Sequence, residues 1–280
     1  MIILDGKKLS KQIEATDKKR AHILIEKNIV PTLAIILVGE DKASKIYIQK
    51  KISAGLRVGV KVNLYHYKED TKTEEVLAKI NDLNIDKSTH GIIVQLPLPE
   101  QIDKQEILEQ ISPEKDVDGV HPLNWGRLAY KKHDFIPCTP AAIMEILKEY
   151  NISIKGKEVL IIGKSEIVGK PLAILLMNEE ATLTIAHKGT KDLVAHTKNA
   201  DIIISATGVP GLINSEMIKE GVVLVDVGII RIGSKVVGDI DFESASKKAA
   251  AITPVPGGIG PVTVSMLLRN VILFAEKRTA

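Results

Sequence analysis

Only one cysteine, Cys138, occurs in 280 residues. That excludes an intrachain disulfide or a cysteine cluster for metal within one chain, and it fits a cytoplasmic setting. The seven histidines, at 22, 66, 90, 121, 133, 187 and 196, include no pair at HxxxH or HxH spacing, so no metal site is expected. No unbroken apolar run reaches the length that spans a bilayer, and the apolar start Met1-Ile-Ile-Leu is soon broken by charge. A soluble, unexported chain without a membrane partner is expected. An excess of one charge is lacking too. Lys and Arg number 38 against 35 Asp and Glu, a formal net charge of +3, too small and dispersed for a nucleic-acid partner. Any bound anion should be small.

What is present is apolar patterning. With 280 residues and 45% hydrophobic content the chain exceeds what one core usually organises, so two domains are expected. Short β-branched runs alternate with helical stretches, which predicts an α/β fold with parallel sheets. Thr32 to Val38, Val60 to Tyr67 and Gly91 to Leu96 read as strands, with helices near 42–57 and 73–84 between them. From Glu158 the cycle restarts: strands at Val159 to Gly163, Ala181 to Ala186, Asp201 to Ser205 and Val222 to Val227, with helices starting near 168, 190 and 215. Pro113, Pro122, Pro137 and Pro140 mark the connection, placing a boundary near residue 139. A Gly- and Pro-rich segment, residues 252–261, leads into an amphipathic helix from Val262 to Lys277, expected to pack back on the first domain.

The turn Gly163-Lys-Ser165-Glu-Ile-Val168-Gly169-Lys-Pro171 follows a strand and opens a helix, the order that presents backbone N–H groups to a pyrophosphate. It departs from GxGxxG, and the same order also serves as a tight turn in any doubly wound protein. The next strand runs into His187-Lys188-Gly189 with no carboxylate for a ribose 2′-hydroxyl. Lys188, together with Lys164, would attract a 2′-phosphate, favouring NADP over NAD; the alternative is two solvated surface lysines. In the first half, Tyr47 and Lys51 stand four residues apart on one helix face, so a flat heterocycle could stack on the ring while the ammonium reaches a reacting atom. An amphipathic helix with a half-buried tyrosine and a snorkelling lysine would show the same spacing. Gln95 ends a strand otherwise made for burial, where open α/β sheets bind ligands. Lys115-Asp116-Val-Asp118-Gly119 supplies two carboxylates, one of which could cap the following turn. The glycines of Pro256-Gly257-Gly258-Ile259-Gly260 let backbone approach a ligand closely.

Together these pieces resemble the bifunctional methylenetetrahydrofolate dehydrogenase/methenyltetrahydrofolate cyclohydrolase family. The resemblance covers nearly the whole chain: VG-x3-AS-x2-Y-x3-K at 38–51, VQLPLP at 94–99, KDVDG at 115–119, PCTP at 137–140, the glycine turn at 163–171, DVGI at 226–229, GD-x-DF at 238–242 and TPVPGG-x-GP at 253–261. It implies a folate-binding catalytic domain at 1–139 with 262–280, and a Rossmann-type NADP-binding domain at 140–261, with a cleft between them. It implies that Lys51, Tyr47, Gln95 and Asp118 are catalytic, with Val94, Leu96, Pro256, Gly257, Gly258, Ile259 and Gly260 also at the folate. It implies a dinucleotide site of Gly163, Lys164, Ser165, Val168, Gly169, His187, Lys188, Thr207, Gly208, Val227, Gly228 and Ile229. It further implies a cytoplasmic homodimer in one-carbon metabolism and purine biosynthesis, with a folate substrate. Lys164 and Lys188 stand where the family usually has arginine and serine, so NAD remains an alternative cofactor. Lys51 is expected to carry a lowered pKa through partial burial or the neighbouring Lys50.

Overall fold

The computed structural model describes residues 1–133, 135–233 and 235–278. In chain order the elements are β1 (Ile2–Ile3), α1 (Gly6–Glu26), β2 (Thr32–Val38), α2 (Lys42–Val58), β3 (Lys61–Tyr67), α3 (Thr73–Ile85) and β4 (Gly91–Val94). They continue as α4 (Lys104–Gln110), α5 (Pro122–Ala129), α6 (Cys138–Glu149), β5 (Glu158–Ile162), α7 (Gly169–Asn178), β6 (Thr182–Ala186), α8 (Leu193–Asn199) and β7 (Ile202–Ser205). The remainder are β8 (Val223–Asp226), β9 (Ile230–Ile232), β10 (Lys235–Val237), α9 (Phe242–Ala245), β11 (Ala251–Ile252) and α10 (Ile259–Lys277). The described chain forms two compact units, each discontinuous in sequence: residues 1–10 with 128–263, and residues 11–127 with 264–280.

In the unit built on residues 11–127, a parallel three-stranded sheet has the order β3-β2-β4. Its central strand Thr-Leu-Ala-Ile-Ile-Leu-Val is buried at every position, as a strand covered on both faces must be, and so reads as a continuous apolar run rather than an alternating one. The core around it joins Ile36, Val76, Ile80, Ile92 and Ile107, each such side chain worth about 1.5–3 kcal/mol of burial. Helix α2 starts where the Asp41 carboxylate accepts the Ser44 N–H at 2.7 Å and stops at Gly59, whose φ of 91° only glycine adopts easily. The chain leaves β2 toward β3 on one side and reaches β4 on the other. The carboxyl ends of β2 and β4 therefore flank a switch point, where crevices form in open α/β sheets. Most of α10 belongs to this unit. It is long and apolar enough to cross a membrane by length and composition, yet 67% of that stretch is buried in the protein.

The unit built on residues 128–263 holds a parallel six-stranded sheet of order β1-β11-β8-β7-β5-β6. Its core includes Leu160, Ile203, Leu224 and Ile252. Here β6 and β7 lie on opposite sides of β5, so the second switch point falls at the carboxyl ends of β5 and β7. The opening residues Ile2 and Ile3 pair with Ala251 and Ile252, which ties residues 1–10 to this later part of the chain.

The helix expected near 215 is not formed. Asn214 Oδ1 accepts the Glu216 N–H at 2.9 Å and Ser244 Oγ accepts the Ser215 N–H at 2.9 Å, an Asx-type turn that takes the donors a helix would align. The strand expected to reach Leu96 ends at Val94, and the helix expected near 190 begins at Leu193. In both places turn geometry precedes or follows the regular element sooner than periodicity indicates.

Candidate functional site

At the first switch point, α2 projects Tyr47 and Lys51 on one face. Lys51 is 8% exposed, and its Nζ donates to Gln95 Oε1 at 2.9 Å. The ammonium lies 5.8 Å from the centre of the Tyr47 ring and that of exposed Lys50 5.7 Å from it, so two cations flank the aromatic face. Gln95 is oriented by its own neighbour: Nε2 donates to the Leu96 carbonyl at 2.9 Å, which turns Oε1 toward the lysine. The same carbonyl accepts Ser44 Oγ at 3.3 Å, and Ser44 is 3% exposed. Ser44 is thus part of the support for Gln95, a role hidden in the motif at 38–51.

The two carboxylates of the 115–119 loop separate cleanly. Asp116, fully buried, accepts the N–H groups of Gly119, Val120 and His121 and Asn124 Nδ2 at 2.8–3.1 Å. It is the loop's internal cap. Burial pushes its pKa up against the pull of those bonds. Asp118 is left half-buried, near enough that its charge, after burial itself, raises the Tyr47 phenol above its ordinary pKa. Tyr47, Lys51, Gln95 and Asp118 therefore gather at one place, while Val94 and Leu96 flank Gln95 in the chain. Three further bonds hold the loop: Asn270 Nδ2 to the Val117 carbonyl at 2.9 Å, Trp125 Nε1 to the Gly119 carbonyl at 3.1 Å, and the Ile92 N–H to the Lys115 carbonyl at 2.8 Å. Lys115 is 1% exposed and clasps the carbonyls of Leu83 and Asp86 at 2.5 and 2.6 Å. Burial, with nearby Arg278, draws its pKa down to about 8.

At the second switch point the features are mostly backbone. Gly163 has φ of 119°, and a Cβ there would fall 2.4 Å from the Ala206 carbonyl oxygen. A Cβ at Gly169 would fall 2.0 Å from the Gly163 carbonyl oxygen. Both positions exclude any larger residue. The turn is pinned by Gly163 N–H to Ala186 O at 2.9 Å and Ala206 N–H to Ile162 O at 2.8 Å. Ser165 Oγ accepts the Val168 N–H at 3.2 Å, ahead of the opening of α7. In register, Ile162 pairs with Ala186, so exposed Lys164 and Lys188 each stand two residues past paired positions on neighbouring strands. His187 organises the second turn, its Nδ1 accepting the Gly189 N–H at 3.1 Å and its own N–H donating to Thr190 Oγ1 at 2.9 Å.

Thr207 and Gly208 follow β7, and Val227, Gly228 and Ile229 follow β8. Two buried aspartates that sequence reasoning passed over lie behind them. Asp239 accepts from Ser205, Thr207 and Gly208; Asp226 accepts the N–H groups of Gly228 and Asp239 at 2.9 and 3.0 Å and of Ile240 at 2.8 Å. Burial, and more weakly the charge of Asp239, raises the Asp226 carboxyl to about 6. The segment 256–260 belongs to this unit as well. Gly257 has φ of 116° and its carbonyl accepts the Lys7 N–H at 3.0 Å, while the Gly258 N–H donates to Pro254 O at 2.7 Å.

Comparison with known proteins gives the same picture for both units. The family model described as the tetrahydrofolate dehydrogenase/cyclohydrolase catalytic domain matches residues 4–118, and the model for its NAD(P)-binding domain matches residues 137–279. The bifunctional protein FolD of Nautilia profundicola is 50% identical over 277 residues, spanning 99% of this chain and 98% of that protein. The crystal structure of the bifunctional methylenetetrahydrofolate dehydrogenase/cyclohydrolase FolD from Campylobacter jejuni superposes with a TM-score of 0.97 at 50% identity, covering 99% of each chain. The Trypanosoma brucei enzyme, solved with NADP and an inhibitor, gives 0.96 at 37% identity over 100% of this chain and 98% of its own.

Proposed function

Because the chain belongs to the tetrahydrofolate dehydrogenase/cyclohydrolase family and matches both of its domains, it is a bifunctional enzyme, and we propose how its two activities are divided among its residues. The reactions are oxidation of 5,10-methylenetetrahydrofolate to the 5,10-methenyl form and hydrolysis of that cation to 10-formyltetrahydrofolate. The observation that carries the assignment is the bond between Lys51 and Gln95 beside the Tyr47 ring. Tyr47 offers its face to a flat pterin-type heterocycle. Asp118, with Asp116 already committed to the loop, accepts hydrogen bonds from ring N–H and exocyclic amine groups. Lys51 handles the protons of the hydrolytic step, guiding water to the methenyl carbon and protonating the nitrogen that leaves it. Gln95 fixes the direction of the ammonium. Val94 and Leu96, either side of Gln95, continue the folate contacts.

The dinucleotide falls to the other unit. Backbone N–H groups at the opening of α7 and the close-packed turn Gly163-Lys164-Ser165 suit a pyrophosphate, and Val168, Gly169, Thr207, Gly208, Val227, Gly228 and Ile229 continue the same cradle. When bound, the nicotinamide accepts the hydride removed from the folate methylene carbon. Lys164 and Lys188, with His187 shaping the second turn, favour a 2′-phosphate and hence NADP; the absence of a carboxylate after β6 supports this reading. Lysines lack the bidentate fork of arginine, so NAD is accepted more weakly rather than refused. A cytoplasmic homodimer supplying formyl groups to purine biosynthesis fits the family.

The test is direct. Purified protein is mixed with 5,10-methylenetetrahydrofolate and either NADP or NAD, following reduced cofactor together with the rise and decay of the methenyl product. Faster turnover with NADP and methenyl decay above the buffer rate support the whole assignment. Preference for NAD would overturn the roles of Lys164 and Lys188, and methenyl decay at the buffer rate would overturn that of Lys51.

A further inference from the structure

Asp239 has no solvent exposure and lies 34 residues beyond Ser205 in the chain. Its Oδ2 accepts Ser205 Oγ at 2.8 Å, the Thr207 N–H at 2.6 Å and Thr207 Oγ1 at 2.9 Å, while Oδ1 accepts the Gly208 N–H at 3.0 Å. Four donors, one from the last residue of β7 and three from the turn after it, converge on one carboxylate. The Thr207 and Gly208 N–H groups are both committed to Asp239, and Thr207 Oγ1 in turn accepts the Val209 N–H at 3.2 Å.

Asp239 is itself held in place. Its N–H donates to Asp226 Oδ1 at 3.0 Å, and the next N–H, of Ile240, donates to Asp226 Oδ2 at 2.8 Å. Asp226 is anchored from behind, where its N–H donates to Thr253 Oγ1 at 2.7 Å. Two glycines make room for the arrangement. A Cβ at Gly228 would fall 2.2 Å from Asp239 Oδ1, and one at Gly238 would fall 2.0 Å from Asp226 Oδ2. Each glycine thus vacates the space that one carboxylate occupies, which accounts for the pairing of Asp226-Val-Gly228 with Gly238-Asp239.

We propose that Asp239 is a positioning residue for the dinucleotide: it shapes the Thr207–Gly208 turn against which the cofactor lies, without itself touching the cofactor. This rests on the reading that Thr207 and Gly208 line the dinucleotide site. A carboxylate is required because all four partners are donors. Asparagine presents an N–H where one oxygen stood, so at least one turn N–H meets another donor and the turn must move.

The two activities give a clean split. Hydrolysis of methenyltetrahydrofolate, supplied directly, consumes no dinucleotide, so a defect confined to the turn appears only in the dehydrogenase. For Asp239→Asn the KM for NADP should rise about tenfold or more, with cyclohydrolase kcat within about twofold of the wild type. Ser205→Ala removes one of the four donors and should raise the same KM about threefold; it decides the matter if Asp239→Asn does not fold. A third variant, Gly208→Asn, adds a side chain that tolerates the glycine's φ of 73° and extends into open space. If Gly208→Asn raises the KM for NADP while Asp239→Asn and Ser205→Ala leave it unchanged, the positioning role is overturned and the site assignment stands. If none of the three moves it, the assignment of the turn to the dinucleotide falls, and the positioning role with it. Equal loss of both activities in Asp239→Asn and Ser205→Ala would mark a general structural role instead.

Discussion

The two switch points solve different problems with different materials. At the ends of β2 and β4 the groups proposed to act are side chains: an ammonium aimed by an amide, a phenol face and a carboxylate. At the ends of β5 and β7 they are mostly backbone N–H groups, and the side chains that matter, Asp226 and Asp239, are buried behind the turn. Chemistry at the first is lost by changing what a residue can do; at the second it is lost by changing where the chain runs. Proton transfer needs a titratable group, whereas holding a pyrophosphate needs only dipoles fixed in direction.

Substitutions can break or sharpen this contrast, and the largest effect belongs to the side-chain site. Lys51→Met keeps length and burial while removing the group proposed to handle protons. Its cyclohydrolase rate, measured on methenyltetrahydrofolate, should fall by about 10²–10⁴ with Tm close to wild type. Retained hydrolysis would transfer the role to another residue. Next comes Gly228→Ala, which changes no chemistry but drives a methyl group into Asp239. It should cost about 1–3 kcal/mol in denaturant unfolding and weaken NADP binding, with the folate-side chemistry less affected.

A smaller effect comes from pH. With the Asp226 carboxyl raised to about 6 in the folded protein, the native state binds more protons than the unfolded chain between about pH 4 and 6. The stability cost of charging this buried group is therefore fully present above pH 6 and is relieved as pH falls toward 4. In urea titrations the wild type should gain on the order of 2 kcal/mol relative to Asp226→Asn between pH 7 and pH 4; a pH-independent difference would show that Asp226 does not titrate there. The smallest effect is expected from the exposed lysines. Lys164→Ala or Lys188→Ala should raise the KM for NADP about three- to tenfold each and leave the KM for NAD nearly unchanged. Equal shifts for both cofactors would place the lysines away from the 2′-phosphate.

The same contrast governs what could be read before the structure. Tyr47, Lys51 and Gln95 could be singled out in the sequence because α2 keeps the first two on one face and Gln95 is a polar residue closing an apolar strand, and the structure brings the three together. The choice between Asp116 and Asp118 came from the family resemblance alone: both are carboxylates in one loop, and it is the convergence of three N–H groups and an amide on Asp116 that separates them physically. Asp239 was less visible still, since its partners lie more than thirty residues earlier and half of them are backbone N–H groups, which carry no mark in the residue code. Periodicity found the buried strands β2 and β5 but passed over α1 and the two-residue strands β1 and β11, which are too short to repeat a pattern.

The discontinuity of the two units has a consequence for synthesis. Domains generally fold as they leave the ribosome, the earlier one first, but here neither sequence half is a complete unit. Strand β1, made at the outset, waits for its partner β11 near the end of residues 128–263, and the unit of residues 11–127 cannot close over Val117 and Asp17 until Asn270 and Arg269 have been made. The nascent chain must therefore hold Val117 and Asp17 without these partners while the whole dinucleotide unit is translated. The loop that carries Asp118, though encoded in the first half of the chain, therefore gains its full set of bonds only when the last helix has been made.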